Sequence, residues 1–183
     1  MPRSGVGHAA AAAVCSAYDT PRLALCVVGE PAGSAADAVF RSIFANVLAA
    51  LGANSTAFLA LHAPPYSPPG AREATLAAAD AWLRPASSTW TALASESSAA
   101  TEDAGGACRR RVEAIAAGRR NCHEQLRAYE QRAGASLFTD VLVVPADELW
   151  VVPLWPYCLQ PADAATRGVL TQRNRHHGSI WCA

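Results

Sequence analysis

Two short constellations in this 183-residue chain have residue types and settings that could do chemistry. The first is Gly29-Glu30-Pro31-Ala32-Gly33. It follows a continuous apolar run and precedes a helical pattern, and in α/β domains ligands bind at such a turn because the N–H groups of the helix start point there. The loop is neither G-x-G-x-x-G nor a P-loop, so it reads equally as an ordinary glycine-bearing turn. The second is Pro145-Ala146-Asp147-Glu148 at the end of another apolar run. Two adjacent carboxylates so placed could hold a divalent cation, Mn²⁺ or Mg²⁺, that in turn holds a diphosphate. The competing reading is a turn in which Asp147 caps the next element.

Other reactive types are set less tellingly. His123-Glu124 lacks the rest of H-E-x-x-H and reads as a solvated helix face. Arg109-Arg110-Arg111 could meet a phosphate, or simply be solvated. His176-His177 beside Arg173 and Arg175 reads as polar tail. No G-x-S-x-G elbow occurs. All 15 basic residues are arginine, which removes Schiff-base and P-loop-lysine chemistry. The net charge is zero, so no basic excess points to nucleic acid. No run of apolar residues is long enough for a transmembrane helix. Six cysteines form no C-x-x-C pair and fit no zinc spacing. Cys26 lies inside an apolar run and is expected to be a buried free thiol, while an even count also permits disulfides.

The elements that must position these residues follow from hydrophobic patterning. Leu23 to Val28 is apolar without alternation, as in a strand covered on both faces of a parallel sheet. Asp37 to Leu51 places Val39, Phe40, Ile43, Val47, Leu48 and Leu51 on one stripe of a helix, with Gly52 as its cap. Thr56 to Leu61 predicts a second strand, and 71–83 a second helix stopped by Pro85. Residues 86–107 are expected to be mostly loop. A long helix over 109–132 would present Val112, Ile115, Ala116, Leu126 and Tyr129, with Gly118 as a weak point. Leu137 to Val144 predicts a third strand, and Leu149 to Val152 a short fourth.

The chain thus divides into a tail over 1–21, disordered or targeting, an α/β domain over 22–160 and a polar tail over 161–183. The expected fold is Rossmann-like α/β, a mostly parallel sheet flanked by helices. Leu23 to Val28 and Val141 to Val144 should be buried parallel strands near one another in a single sheet, and Gly29, Glu30 and Asp147 should lie around one cleft at the carboxyl edge.

Three segments resemble a family of glycosyltransferase-like proteins of algae and other protists. They are Leu23 to Pro31 running into Val39-Phe40-Arg41-Ser42-Ile43 and Asn46-Val47-Leu48; Cys122, Leu126 and Tyr129-Glu130; and Phe138 to Trp150 with Pro153. The family's Arg-x-Arg-Pro-Asp motif falls here on Val143 to Asp147, where only Asp147 remains. Ala32 stands where the first loop carries arginine. The resemblance implies a GT-A-like fold, short of the strands a complete transferase carries, that binds a nucleotide-sugar donor through Gly29, Glu30 and Pro31. A divalent metal would sit on Asp147 and Glu148. It assigns no catalytic residue and no acceptor. The missing arginines, the best bidentate donors to phosphate, leave a non-catalytic binding or interaction module as the alternative. The compartment is left open between cytoplasm and secretory pathway.

Overall fold

A computed structural model describes residues 22–31, 33–49, 55–63, 68–92 and 104–154. Four strands form one sheet: β1 (Leu23–Gly29), β2 (Ser55–Ala63), β3 (Ser87–Ala92) and β4 (Asp140–Pro145). Three helices accompany them: α1 (Ala36–Ile43), entered through a 3₁₀ turn over Gly33–Ala35 and continued by a π turn over Phe44–Leu48, then α2 (Ala71–Leu83) and α3 (Ala104–Ala133). The strand order is β3-β2-β1-β4, and every pair is parallel. The Rossmann-like α/β expectation therefore holds, with β1 between β2 and β4 as its unbroken apolar run requires. The tails over 1–21 and 155–183 lie outside the described residues, and with them Arg173, Arg175, His176 and His177.

The chain steps outward from β1 to β2 to β3, then crosses back to β4 on the far side of β1. Crossovers of one hand taken in opposite directions put their helices on opposite faces. Accordingly, the α1 face buries Leu25, Val27, Leu59, Leu61, Leu142 and Val144 together with Phe40, Ile43 and Val47 of the first helix and Leu83 of α2. The α3 face buries Ala24, Cys26, Val28, Phe58 and Ala60 against Cys122 and Leu126.

Several expectations need correction. Within the stretch 86–107, expected to be mostly loop, lie β3 and the start of α3, while residues 93–103 lie outside the described residues. Ser-Ser-Thr-Trp-Thr-Ala has too little hydrophobicity to read as a strand, yet an edge strand needs a partner on one side only, and Thr and Trp suit it. β4 begins at Asp140 rather than Leu137, because the N–H groups of Leu137 and Phe138 bond the Glu130 carboxylate, at 2.7 and 3.2 Å. Leu149 to Val152 is no strand. Its polar backbone goes to α1 and its π turn: Trp150 N–H donates to Ser42 Oγ (2.9 Å), and Asn46 Nδ2 donates to the Trp150 carbonyl (2.5 Å). The widened π turn also leaves the Asn46 carbonyl free to accept from Leu154 N–H at 2.7 Å. Trp150 and Leu154 are thereby buried on the α1 face, while Leu149, Val151 and Val152 are exposed.

Cys26 is not a free thiol. It is buried as expected, but it is disulfide-bonded to Cys122 of α3 across a sequence separation of 96. A mid-strand apolar setting fixes burial and says nothing of which side chain lies opposite. The other four cysteines, Cys15, Cys108, Cys158 and Cys182, lie outside the described side chains.

The carboxyl-terminal half of α3 is held by aromatic packing. The rings of Phe58, Tyr129 and Phe138 lie 5.6 to 5.9 Å apart, two of the three pairs edge to face. A carboxylate near a helix carboxyl end opposes the dipole, but Glu130 there accepts from Leu137 N–H, Phe138 N–H and Ser136 Oγ. Those donors, Leu137 N–H foremost, hold its carboxyl below its ordinary 4.5. A depressed carboxylate stabilises the fold at pH above the ordinary value, and that stabilisation disappears as pH falls through the folded value.

Two outcomes follow. Replacing both Cys26 and Cys122 with alanine should lower stability by about 2–5 kcal/mol, the usual cost of losing a native disulfide that closes a long loop; urea unfolding of the two proteins measures it. Glu130→Gln should destabilise at neutral pH, with the difference from the parent protein shrinking as the medium is acidified below pH 4.5; an unchanging difference in urea midpoint would show that the three hydrogen bonds do not need the charge.

Candidate functional site at the carboxyl edge of the sheet

The step from β1 outward to β3 and back to β4 makes the β1/β4 pair the topological switch point, where open α/β sheets bind ligands beyond the strand ends. Both sequence-derived constellations leave there. Val28 is in register with Pro145, and Ala146 N–H donates to the Val28 carbonyl at 2.8 Å. Gly29-Glu30-Pro31 and Ala146-Asp147-Glu148 therefore emerge side by side from adjacent parallel strands.

The first loop is shaped by glycine. Gly29 is buried at φ +103°, and Gly33 sits at φ +57°, with its N–H donating to the Pro31 carbonyl at 2.8 Å. Both φ values lie in the region that favours glycine. Pro31 is buried and Glu30 half-buried. The loop enters α1, whose first turn has no side-chain cap. Asp37 in that turn accepts from Trp82 Nε1 at 2.8 Å, tying α1 to α2. Ala32 lies outside the described residues.

In the second loop Asp147 is exposed and Glu148 half-buried. A hard ion of the Mg²⁺ or Mn²⁺ type keeps several waters and takes one or two protein carboxylates plus ligand phosphates. An exposed aspartate next to a glutamate fits that demand, with the remaining ligands left to water and phosphate. Among the described residues, no three His, Cys, Asp or Glu side chains gather into one group. Ala146 is fully buried, and Val143 packs against the α3 face.

The third wall comes from α3, in a way its hydrophobic pattern concealed. Val112 and Ala116, expected on the apolar face, are exposed. The face that meets the sheet is instead built on Ala114, Gly118 and Cys122, small residues four apart, flanked by Ile115, Leu126 and Tyr129. Gly118 is a point of closest approach: a Cβ there would lie 2.8 Å from Val28 Cβ, 3.1 Å from the Ala60 carbonyl oxygen and 3.3 Å from Gly29 N. A Cβ on Gly29 would meet Ile115 Cγ1 at 3.7 Å. The helix thus lies directly on the base of the first loop. His123, Glu124 and Arg109 are exposed on α3.

A buried polar group beside this edge escaped the sequence reading. His62, near the end of β2, shares a 2.9 Å hydrogen bond through Nδ1 with Thr91 Oγ1 of β3. Gln125 of α3 donates from Nε2 to the Leu59 carbonyl (2.8 Å) and to Thr89 Oγ1 (3.1 Å). His62 Nε2 and Gln125 Oε1 are buried without a hydrogen-bond partner among the described residues. Burial pushes the His62 pKa below its ordinary 6.5, opposed by the Ala114 carbonyl and Thr91. The signal available beforehand was a lone histidine closing an apolar strand, opposite a Ser/Thr run not read as a strand.

Compared with known proteins, the chain matches no family model, no curated protein and no solved structure.

The contact at Gly118 can be measured by substitution. Gly118→Ala should gain about 1 kcal/mol of helix propensity. It should lose about 1–3 kcal/mol by overpacking, because the Ala60 carbonyl and Gly29 N are backbone and cannot rotate away. The expected outcome is a net loss of stability in urea melts, whereas a gain would show that the helix can lift from the sheet at little cost.

Proposed function

We infer that this domain binds a nucleotide-sugar at the β1/β4 switch point and is of the glycosyltransferase type. The observation that carries this reading is the strand order: of the three neighbouring pairs in the sheet, β1 and β4 flank the reversal, and the two loops singled out for their chemistry follow those two strands. Gly29, Glu30 and Pro31 take the nucleotide. Asp147 and Glu148 would hold a divalent cation, whose charge would offset that of a bound diphosphate. No residue is assigned to acid–base catalysis.

A specific observation favours a second reading, a non-catalytic binding module. Val143, Pro145 and Ala146 stand where the resembled motif has arginine, arginine and proline, and Val143 belongs to a hydrophobic cluster. Guanidinium groups are thus lacking from β4 where a diphosphate would need them.

The Cys26–Cys122 disulfide supports maturation in an oxidising compartment, the secretory pathway rather than the cytoplasm. No helix among the described residues is long and apolar enough to cross a membrane.

Calorimetry of a nucleoside diphosphate with and without Mn²⁺ tests the reading. Binding should require the metal, and Asp147→Ala should abolish it while leaving the urea midpoint nearly unchanged. If Asp147 only caps the turn, the same change costs about 1 kcal/mol of stability and spares binding. Metal-dependent binding without glycosyl transfer or donor hydrolysis would select the binding module.

A further inference from the structure

The two halves of α3 are fastened differently. From Cys122 onward the helix is pinned by the disulfide, by Gln125 and by the Phe58–Tyr129–Phe138 rings. Before Cys122 it rests on the sheet through small residues, Ala114 and Gly118, together with Ile115. It also contains Gly105 and Gly106 in its first turn, and glycine favours the helix less than alanine does. Beneath this weaker half lies His62, 2% exposed, its Nε2 without a hydrogen-bond partner among the described residues and the Ala114 carbonyl nearby. Burial there favours the neutral ring over the imidazolium, with the Ala114 carbonyl and Thr91 opposing it.

We propose that the amino-terminal half of α3, residues 104–118, is a proton-operated latch over the carboxyl ends of β1 and β2, held shut by the neutral His62 and released when His62 takes up a proton. The coupling to the first loop is steric. The same turn that covers His62 also covers Gly29 through Ile115 and Gly118, so lifting it uncovers the base of Gly29-Glu30-Pro31. Opening stops at Cys122, because the disulfide holds the helix to the middle of β1.

Among the described residues, the groups that meet His62 do not ionise: they are Thr91 from β3 and the Ala114 carbonyl from α3. The described charged side chains of α3 near this turn, Glu113, Arg119 and Arg120, are exposed. Glu30, one position past β1, has interactions of its own. With the histidine pKa below 6.5 when shut and ordinary when open, opening gains as pH falls through 6.5, while the reverse change closes the latch.

Hydrogen exchange of the oxidised full chain, corrected for intrinsic rates, tests this without any ligand and so independently of the nucleotide-sugar reading. Peptides from 104–118 and from 23–31 should open more often at about pH 5.5 than at about pH 7.5, because the shut state binds the proton more weakly than the open one. Peptides from 122–133 should not change, and His62→Gln should remove the pH response. Acceleration spread evenly over the domain overturns the proposal. So does a response that persists in His62→Gln, which would assign it to Glu30 or another carboxylate. If that variant does not fold, the His62 ring is titrated by NMR in the parent chain. Its midpoint should lie below 6.5, at the pH where the rise in exchange of 104–118 that sets in near 6.5 levels off; a midpoint at or above 6.5 overturns the latch.

Discussion

How closely α3 can lie on the sheet decides most of the rest. The helix reaches β1 and β2 through Ala114, Gly118 and Cys122, and at Gly118 the fit leaves no space for a methyl group. That approach brings the Cys122 sulfur to Cys26, lets Gln125 bond the Leu59 carbonyl and Thr89, and roofs the turn at Gly29. A bulky residue in this row would lift the helix, and the disulfide, the polar pairs under it and the wall of the candidate site would go together. Burial of apolar area makes the sheet stable; the row of small residues sets its geometry.

The parts of the fold legible in the sequence were those written in large side chains. Leu23 to Val28 could hardly be anything but a central strand, and the βα alternation placed the loops after β1 and β4 at one edge. What stayed hidden was written in small or polar residues. Gly118 reads as a defect in a helix unless the strand beneath is known, because a scale of hydrophobicity scores only what a residue buries and not what it lets approach. β3 was missed for the same reason: its Thr89 and Thr91 face polar partners, Gln125 and His62, that only the tertiary structure supplies. The Cys26–Cys122 bond needed both the strand and the helix placed in three dimensions.

The candidate site was legible in position and less so in chemistry. Strand order confirms that the loops at Gly29 and Asp147 are neighbours, a statement about topology that patterning can reach. Which groups meet a ligand depends on side chains that a βα pattern leaves free, and here Val143 of β4 and Ala146 just after it pack into the two apolar clusters. The resemblance to glycosyltransferase-like proteins therefore rests on segments of the framework more than on the motif that would touch phosphate.

The disulfide also divides the molecule by connectivity. It closes a ring of chain from Cys26 to Cys122 that contains α1, β2, α2, β3 and the amino-terminal half of α3. The turn at Gly29 belongs to that ring, and α3 is joined to β1 by a covalent bond only a few residues away. β4 and the Asp147 turn lie outside it, attached to β1 by ladder hydrogen bonds and to α1 by Ser42 and Asn46. The two lips of the crevice are thus unequally tethered: one is part of a closed loop, and the other can part from it without any covalent bond being broken.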